Sequence, residues 1–77
     1  MHAVWLKSIK HEELDTVHRV VRKQNRPLTD KQIDDLLAAV EAGREQVVRA
    51  FAHEEPAENL VKELAQHGAV AEIREQE

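Results

Sequence analysis

Pro27, Gly43, Pro56 and Gly68 are the only prolines and glycines in the chain, and they divide its 77 residues into short segments. Each has a positional meaning. Pro27 disfavours helical dihedrals at Arg26, so a helix before it must stop there. Gly43 and Gly68 suit the left-handed residue that follows a helix, and Pro56 suits a first helical turn. The breaks leave room for short helices and strands in one small domain, which buries only about 60–65% of its unfolded surface.

Between the breaks, apolar spacing assigns the elements. Residues 3–9 are rich in strand-favouring types, with Val4, Leu6 and Ser8 on one face and Trp5, Lys7 and Ile9 on the other. Residues 12–24 read as a helix. Leu14, Val17, Val20 and Val21 fall within an arc of about 120°, opposite Asp15, His18, Arg19, Arg22 and Lys23. A second helix begins near residue 30: Thr29 is its N-cap, Gln32 stands at the capping-box position, and Ile33, Leu36, Leu37 and Val40 form its buried stripe. Pro56 opens a third helix with Glu54, Glu55 and Glu58 near its positive end. Leu60, Val61 and Leu64 are its stripe, and His67 lies in its last turn.

Residues 46–52 are ambiguous. Val47, Val48 and Phe51 continue the helical spacing of Val40 across Gly43, which leaves a longer kinked helix and an all-α fold open. Gly43, the β-branched pair and the short length favour a strand. Residues 69–74 alternate as a final strand, with Glu75, Gln76 and Glu77 expected to fray. The expected class is α+β: a two-layer β-α-α-β-α-β domain over residues 1–77, with a three-stranded sheet covered on one face by three helices.

Signatures of chemistry are sparse. Cysteine is absent, which excludes disulfides, thiolate nucleophiles and Cys-ligated zinc. His2, His11, His18, His53 and His67 include no pair at i, i+3 or i, i+4 spacing. Asp34/Asp35 and Glu54/Glu55 are adjacent, so on a helix each pair diverges by about 100° instead of converging on a substrate. Ser8, Thr16 and Thr29 are the only hydroxyl side chains, none of them in a nucleophile motif, and two glycines cannot form a phosphate-cradling loop. Trp5 and Phe51 fall in strands and read as core more readily than as a base-stacking platform. A non-enzyme without cofactor or metal is expected. No apolar run approaches a membrane span and no signal-type segment follows Met1, so the expected setting is cytoplasmic.

Charge is more informative. The formal net charge of −4 puts a nucleic-acid clamp at a disadvantage. It also hides an asymmetry: residues 1–31 hold seven cations against four acids, a net +3, and residues 32–77 hold four against eleven, a net −7. Within the basic third, Arg19, Lys23 and Arg26 are spaced i, i+4, i+7, and His18 and Arg22 form an adjacent i, i+4 row. A solvated polar face and a docking surface for acidic protein segments or phosphates both fit that pattern.

Val47–Arg74 is similar to the end of the C-terminal domain of the bacterial ribosomal stalk protein: a Val-rich strand, an Ala-Glu helix, then Gly-Ala and a short strand. Val4–Ile9 resembles that domain's opening strand and Val17–Arg22 its first helix, so the resemblance covers nearly the whole chain. It implies the order β-α-α-β-α-β, with 46–52 as strand, and recruitment of translation factors through the first two helices. Arg19 and Arg22 stand where the family has a docking Lys and Arg. The preceding family lysine falls near Leu14, and Arg26-Pro27-Leu28 replaces the family's Gly-Leu-Gly-Leu turn. The family's dimerisation segment and hinge are not in these 77 residues. The ClpS adaptor of the Clp protease shares the fold, and Leu37–Val40 with Gly43 and Ala57-Glu58 are similar to it. Ser8–Glu12 lacks that adaptor's Asn-Asp-Asp signature.

The expected function is a protein-binding module that docks an acidic partner, such as a translation-related factor, through His18, Arg19, Arg22, Lys23 and Arg26. The alternatives are a ClpS-like adaptor, a regulatory protein that self-associates through its oppositely charged halves, and a weak RNA or ribosome binder.

Overall fold

A computed structural model describes residues 1–76. Its elements are β1 (His2–Ile9), a 3₁₀ turn (His11–Glu13), α1 (Leu14–Gln24), α2 (Asp30–Glu41), β2 (Gln46–Phe51), α3 (Glu54–Gln66) and β3 (Ala69–Glu75). The three strands form one antiparallel sheet in the order β2-β1-β3, and the three helices cover one of its faces. The domain is therefore α+β, and residues 46–51 are strand.

The helix boundaries follow from local chemistry. At the start of α2 the Gln32 amide donates to Thr29 Oγ1 at 3.1 Å, and the Thr29 amide donates to Gln32 Oε1 at 2.8 Å, so the capping box is complete. At its end Gly43 takes φ +88°. The Gly43 amide then reaches the Val40 carbonyl at 3.0 Å and the Arg44 amide the Ala39 carbonyl at 2.9 Å, the Schellman pattern. α1 buries Val17, Val20 and Val21, α2 buries Ile33, Leu37 and Val40, and α3 buries Ala57, Leu60 and Leu64.

Two register shifts decide what the sheet offers those helices. Against β2, Val4 pairs with Arg49 and Trp5 with Val47, which leaves Val48 without a partner. Against β3, Leu6 pairs with Ala71 and Ser8 with Val70, which leaves Lys7 without one. Each extra residue is a β-bulge, and the side-chain alternation shifts beyond it. Cross-strand partners share a face. Ile9, paired with Ala69, therefore joins Val4 and Leu6 on the helix side, and Ser8 moves to the open side. Strict alternation predicts the reverse for both; the bulge at Lys7 is the reason. The Val48 bulge is held from outside the sheet, because Asn25 Nδ2, just after α1, donates to the Val48 carbonyl at 2.9 Å.

Trp5 also departs from expectation. It lies on the open face, outside the core, beneath the Arg74 guanidinium at 4.6 Å from the ring centroid. Arg74 Nε donates to Glu72 Oε1 at 2.8 Å, and its Nη2 reaches the two Glu45 carboxylate oxygens at 2.5 and 2.7 Å. One side chain thus ties β3 to the residue before β2 across the face of β1. The hydrogen bond from Arg74 holds the Glu72 carboxyl below its ordinary range, and the bonds to Glu72 and Glu45 hold Arg74 in its charged form. The chain end is a second departure. Glu75 belongs to β3, and the Gln76 amide donates to the Met1 carbonyl at 2.8 Å, so the ladder continues through the positions expected to fray; Glu77 lies outside the described residues.

Removing the Asn25 amide leaves the partly buried Val48 carbonyl without its donor. Asn25→Ala is expected to lower stability by about 1–2 kcal/mol, read as a shifted urea midpoint with an unchanged slope. A midpoint equal to that of the wild type would show that the bulge does not depend on this bond.

Candidate functional site

The polar side of α1 divides into two surfaces with different neighbours. Arg19, Arg22 and Lys23, together with Arg26 in the loop that follows, line a single shallow depression open to solvent. The i, i+4, i+7 spacing and the loop bring the four cations together. Arg22 is partly spoken for: it forms an ion pair with Asp30 in the first turn of α2. Both side chains are 61% exposed, so the pair orients Arg22 more than it stabilises the domain. Among the described residues Arg19, Lys23 and Arg26 make no ion pair.

A fifth cation extends this surface. Lys23 and Arg26 also border a second depression with Asn25, Pro27 and Arg49 of β2. Arg49 Nη1 donates to the Gln24 carbonyl at 3.0 Å, and its guanidinium lies 4.7 Å from the Phe51 ring centroid. The bond places positive charge on a carbonyl at the C-terminal end of α1, the negative pole of that helix. Nothing in residues 46–52 marks Arg49 as part of the cluster. It reaches the α1 end because the bulge at Val48 pairs it with Val4, on the helix side of the sheet.

His18 is elsewhere. It stands at i+4 from Leu14 and i−3 from Val21, on the flank of the apolar stripe, and so turns toward α2 instead of the basic surface. Its Nε2 lies 3.3 Å from Asp34 Oδ1, its side chain is only 22% exposed, and it borders a narrow cleft with Leu14, Asp15, Leu37, Ala38 and Glu41. The sequence groups His18 with the docking residues; the structure places it apart from the other four, between α1 and α2 beside Asp34.

The remaining polar groups form pairs instead of a reaction centre. Asp34 faces His18 and Asp35 faces Lys31 Nζ at 3.1 Å, so the adjacent carboxylates diverge. His11 Nδ1 lies 2.9 Å from Glu41 Oε2 and joins the 3₁₀ turn to the end of α2. No group of three or more His, Cys, Asp or Glu side chains that could hold a metal ion occurs among the described residues, and no helix there is long and apolar enough to cross a membrane. What the α1 end presents is a dense, mostly arginine surface, suited to carboxylates or phosphates through planar bidentate contacts. No protein-family model and no curated protein sequence matches the chain.

The His11 pair has a defined pH signature. The hydrogen bond and charge of Glu41 raise the His11 pKa above its ordinary 6.5. A raised folded-state value means that the stabilisation is fully present below the unfolded value and is lost as pH rises through the folded one. In Glu41→Gln the His11 titration followed by NMR is expected to move down toward the ordinary value. The stability gap between the two proteins is expected to be widest between about pH 5 and 6.5 and to close on the alkaline side. An unchanged His11 titration would separate the two groups in solution.

Proposed function

We propose that this chain is a cytoplasmic, non-catalytic protein-binding module that docks an acidic partner on the α1 end, through Arg19, Arg22, Lys23 and Arg26 with Arg49 beside them. The observation that carries this reading is the gathering of four cations around one depression, three of them without an ion pair among the described residues, in a chain whose net charge is −4. Elsewhere Arg74, Lys31 and Lys7 each face a carboxylate within 4 Å, and Lys10, Arg44 and Lys62, also without an ion pair among the described residues, stand on three separate segments. An uncompensated cluster in such a chain produces a local positive field that selects acidic surfaces and speeds their encounter.

The strand-helix order agrees with the resemblance to the ribosomal-stalk C-terminal domain, and that resemblance supports a translation-related factor as the partner. The arginine pair at 19 and 22 falls on the exposed part of α1, as recruitment through that helix requires. Arg22 is oriented by Asp30, leaving Arg19 and Lys23 as the more available contacts.

Exposed charge pairs contribute about 0.2–1 kcal/mol each, so three or four give a weak, salt-sensitive association. Reversing two charges removes two attractions and adds two repulsions, roughly 2 kcal/mol or about 30-fold in affinity. A fluorescent Glu-rich peptide titrated at low ionic strength is expected to bind the wild type, and Arg19→Glu/Lys23→Glu to bind roughly 10- to 50-fold more weakly. Added salt should weaken only the wild type appreciably. Equal affinity of the two proteins, with circular dichroism showing both folded, overturns the assignment.

A further inference from the structure

The face of the sheet turned away from the helices carries a second kind of surface. Cross-strand pairing places Ala3, Trp5 and Ser8 of β1, Val47 and Ala50 of β2, and Val70 of β3 on it. Apart from Met1, the exposed large hydrophobic residues among those described are Val47, at 42%, and Val70, at 55%. Both stand on this face, one on each outer strand, with Trp5 between them. The indole Nε1 of Trp5 is buried without a hydrogen-bond partner.

Its charge distinguishes it from the rest of the molecule. Lys7 and Arg74 are balanced there by Glu72 and Glu45, which they contact directly. By contrast α2 carries four acids against Lys31, and α3 four against Lys62, a net −3 on each helix. A strongly charged partner has nothing to steer it to the sheet face. Two copies of this chain meeting symmetrically through α2 or α3 would bring like charges together. On the sheet face a symmetric contact avoids that penalty, because the charge there sums to zero and Val47 and Val70 protrude.

We infer that the open sheet face is a self-association surface on which two copies stack sheet to sheet, with Trp5 near the centre and Val47 and Val70 at its flanks. A two-fold axis along β1 sets β2 of each copy over β3 of the other, so the Val47 side of one meets the Val70 side of its partner, an isologous contact. Packed sheets lie about 10 Å apart, which lets the flanking valines of the two copies interdigitate, while the Arg74 guanidinium covering each Trp5 meets its counterpart at the centre. Three strands about 4.8 Å apart and some seven residues long give a face of roughly 14 by 23 Å. A face that small, about 320 Å² per copy, is below the size of a standard stable interface, so the dimer is a weak and transient one, micromolar or weaker.

Sedimentation velocity and light scattering from about 5 to about 500 µM, the span in which so small an interface fills, test this directly. Trp5, the sole tryptophan, is the optical reporter. The wild type is expected to pass reversibly from monomer to dimer, with acrylamide quenching of Trp5 falling as the dimer fills. Val47→Glu/Val70→Glu alters two side chains already exposed. It should keep the wild-type circular dichroism and remain monomeric throughout, while Arg19→Glu/Lys23→Glu dimerises as the wild type does. Three results overturn the inference: a wild type monomeric at every concentration, a dimer of unchanged affinity in Val47→Glu/Val70→Glu, or a dimer lost in Arg19→Glu/Lys23→Glu, which would place the contact on the helices.

Discussion

β1 is hydrogen-bonded along both edges, and its two ladders break register at different points, opposite Val48 on one side and at Lys7 on the other. The placement of the remaining side chains depends on this. A strand has a strict two-residue alternation, so eight residues of β1 without a bulge would leave Ile9 outside the core and turn Ser8 into it. The bulge at Lys7 corrects the alternation where β1 nears the start of β3, and Ile9 meets the helix layer beside Ala69. The bulge at Val48 allows Val48 and Phe51, three residues apart, to enter the same core. It also turns Arg49 toward the end of α1.

Folding carries the charge separation along the chain into space only in part. Arg22 of the basic third meets Asp30 of the same third, and Lys31 meets Asp35 across the boundary. Lys7 approaches Glu72, and Arg74 bridges Glu45 and Glu72. These are exposed or half-exposed pairs, each a small contribution to stability. Their larger effect is on the field around the molecule, because local neutralisation leaves the α1 end as the place where positive charge is concentrated. Folding thus sharpens a diffuse basic third into a small basic surface.

What could be read from the sequence was whatever depends on near neighbours. Thr29 and Gln32 are three residues apart and form their capping box without help from the rest of the chain, and Gly43 needs only the preceding turn to close α2. The stripe of Val17, Val20 and Val21 announces α1 by spacing alone. Along α1 and its loop, the same periodicity collects Arg19, Arg22, Lys23 and Arg26. It fails where long-range pairing intervenes. Bulges carry no residue signature in Lys7 or Val48, so the facing of Ile9 and the position of Arg49 were hidden. His18 shares the polar arc with Arg19 but sits on its flank, and only the docking of α2 reveals Asp34 opposite it. Trp5 was legible as a strand residue but not as one roofed by Arg74, since that stacking joins positions 69 residues apart.

The two candidate surfaces lie on opposite sides of the sheet, and their chemistry differs in kind. The α1 end is cationic, and docking through it would lose strength with salt and be weak for any single partner site. The open sheet face carries balanced ion pairs between two exposed valines, and an apolar attraction between two such faces would depend little on salt. Stacking two copies through their sheets directs both helix layers outward, so each dimer presents two basic ends. A partner with two acidic segments then meets the second site at a high effective concentration, and its avidity exceeds either contact alone when its spacing fits. In that arrangement the weakness of the single electrostatic site becomes a property of the monomer, and docking strength follows the concentration of the chain itself.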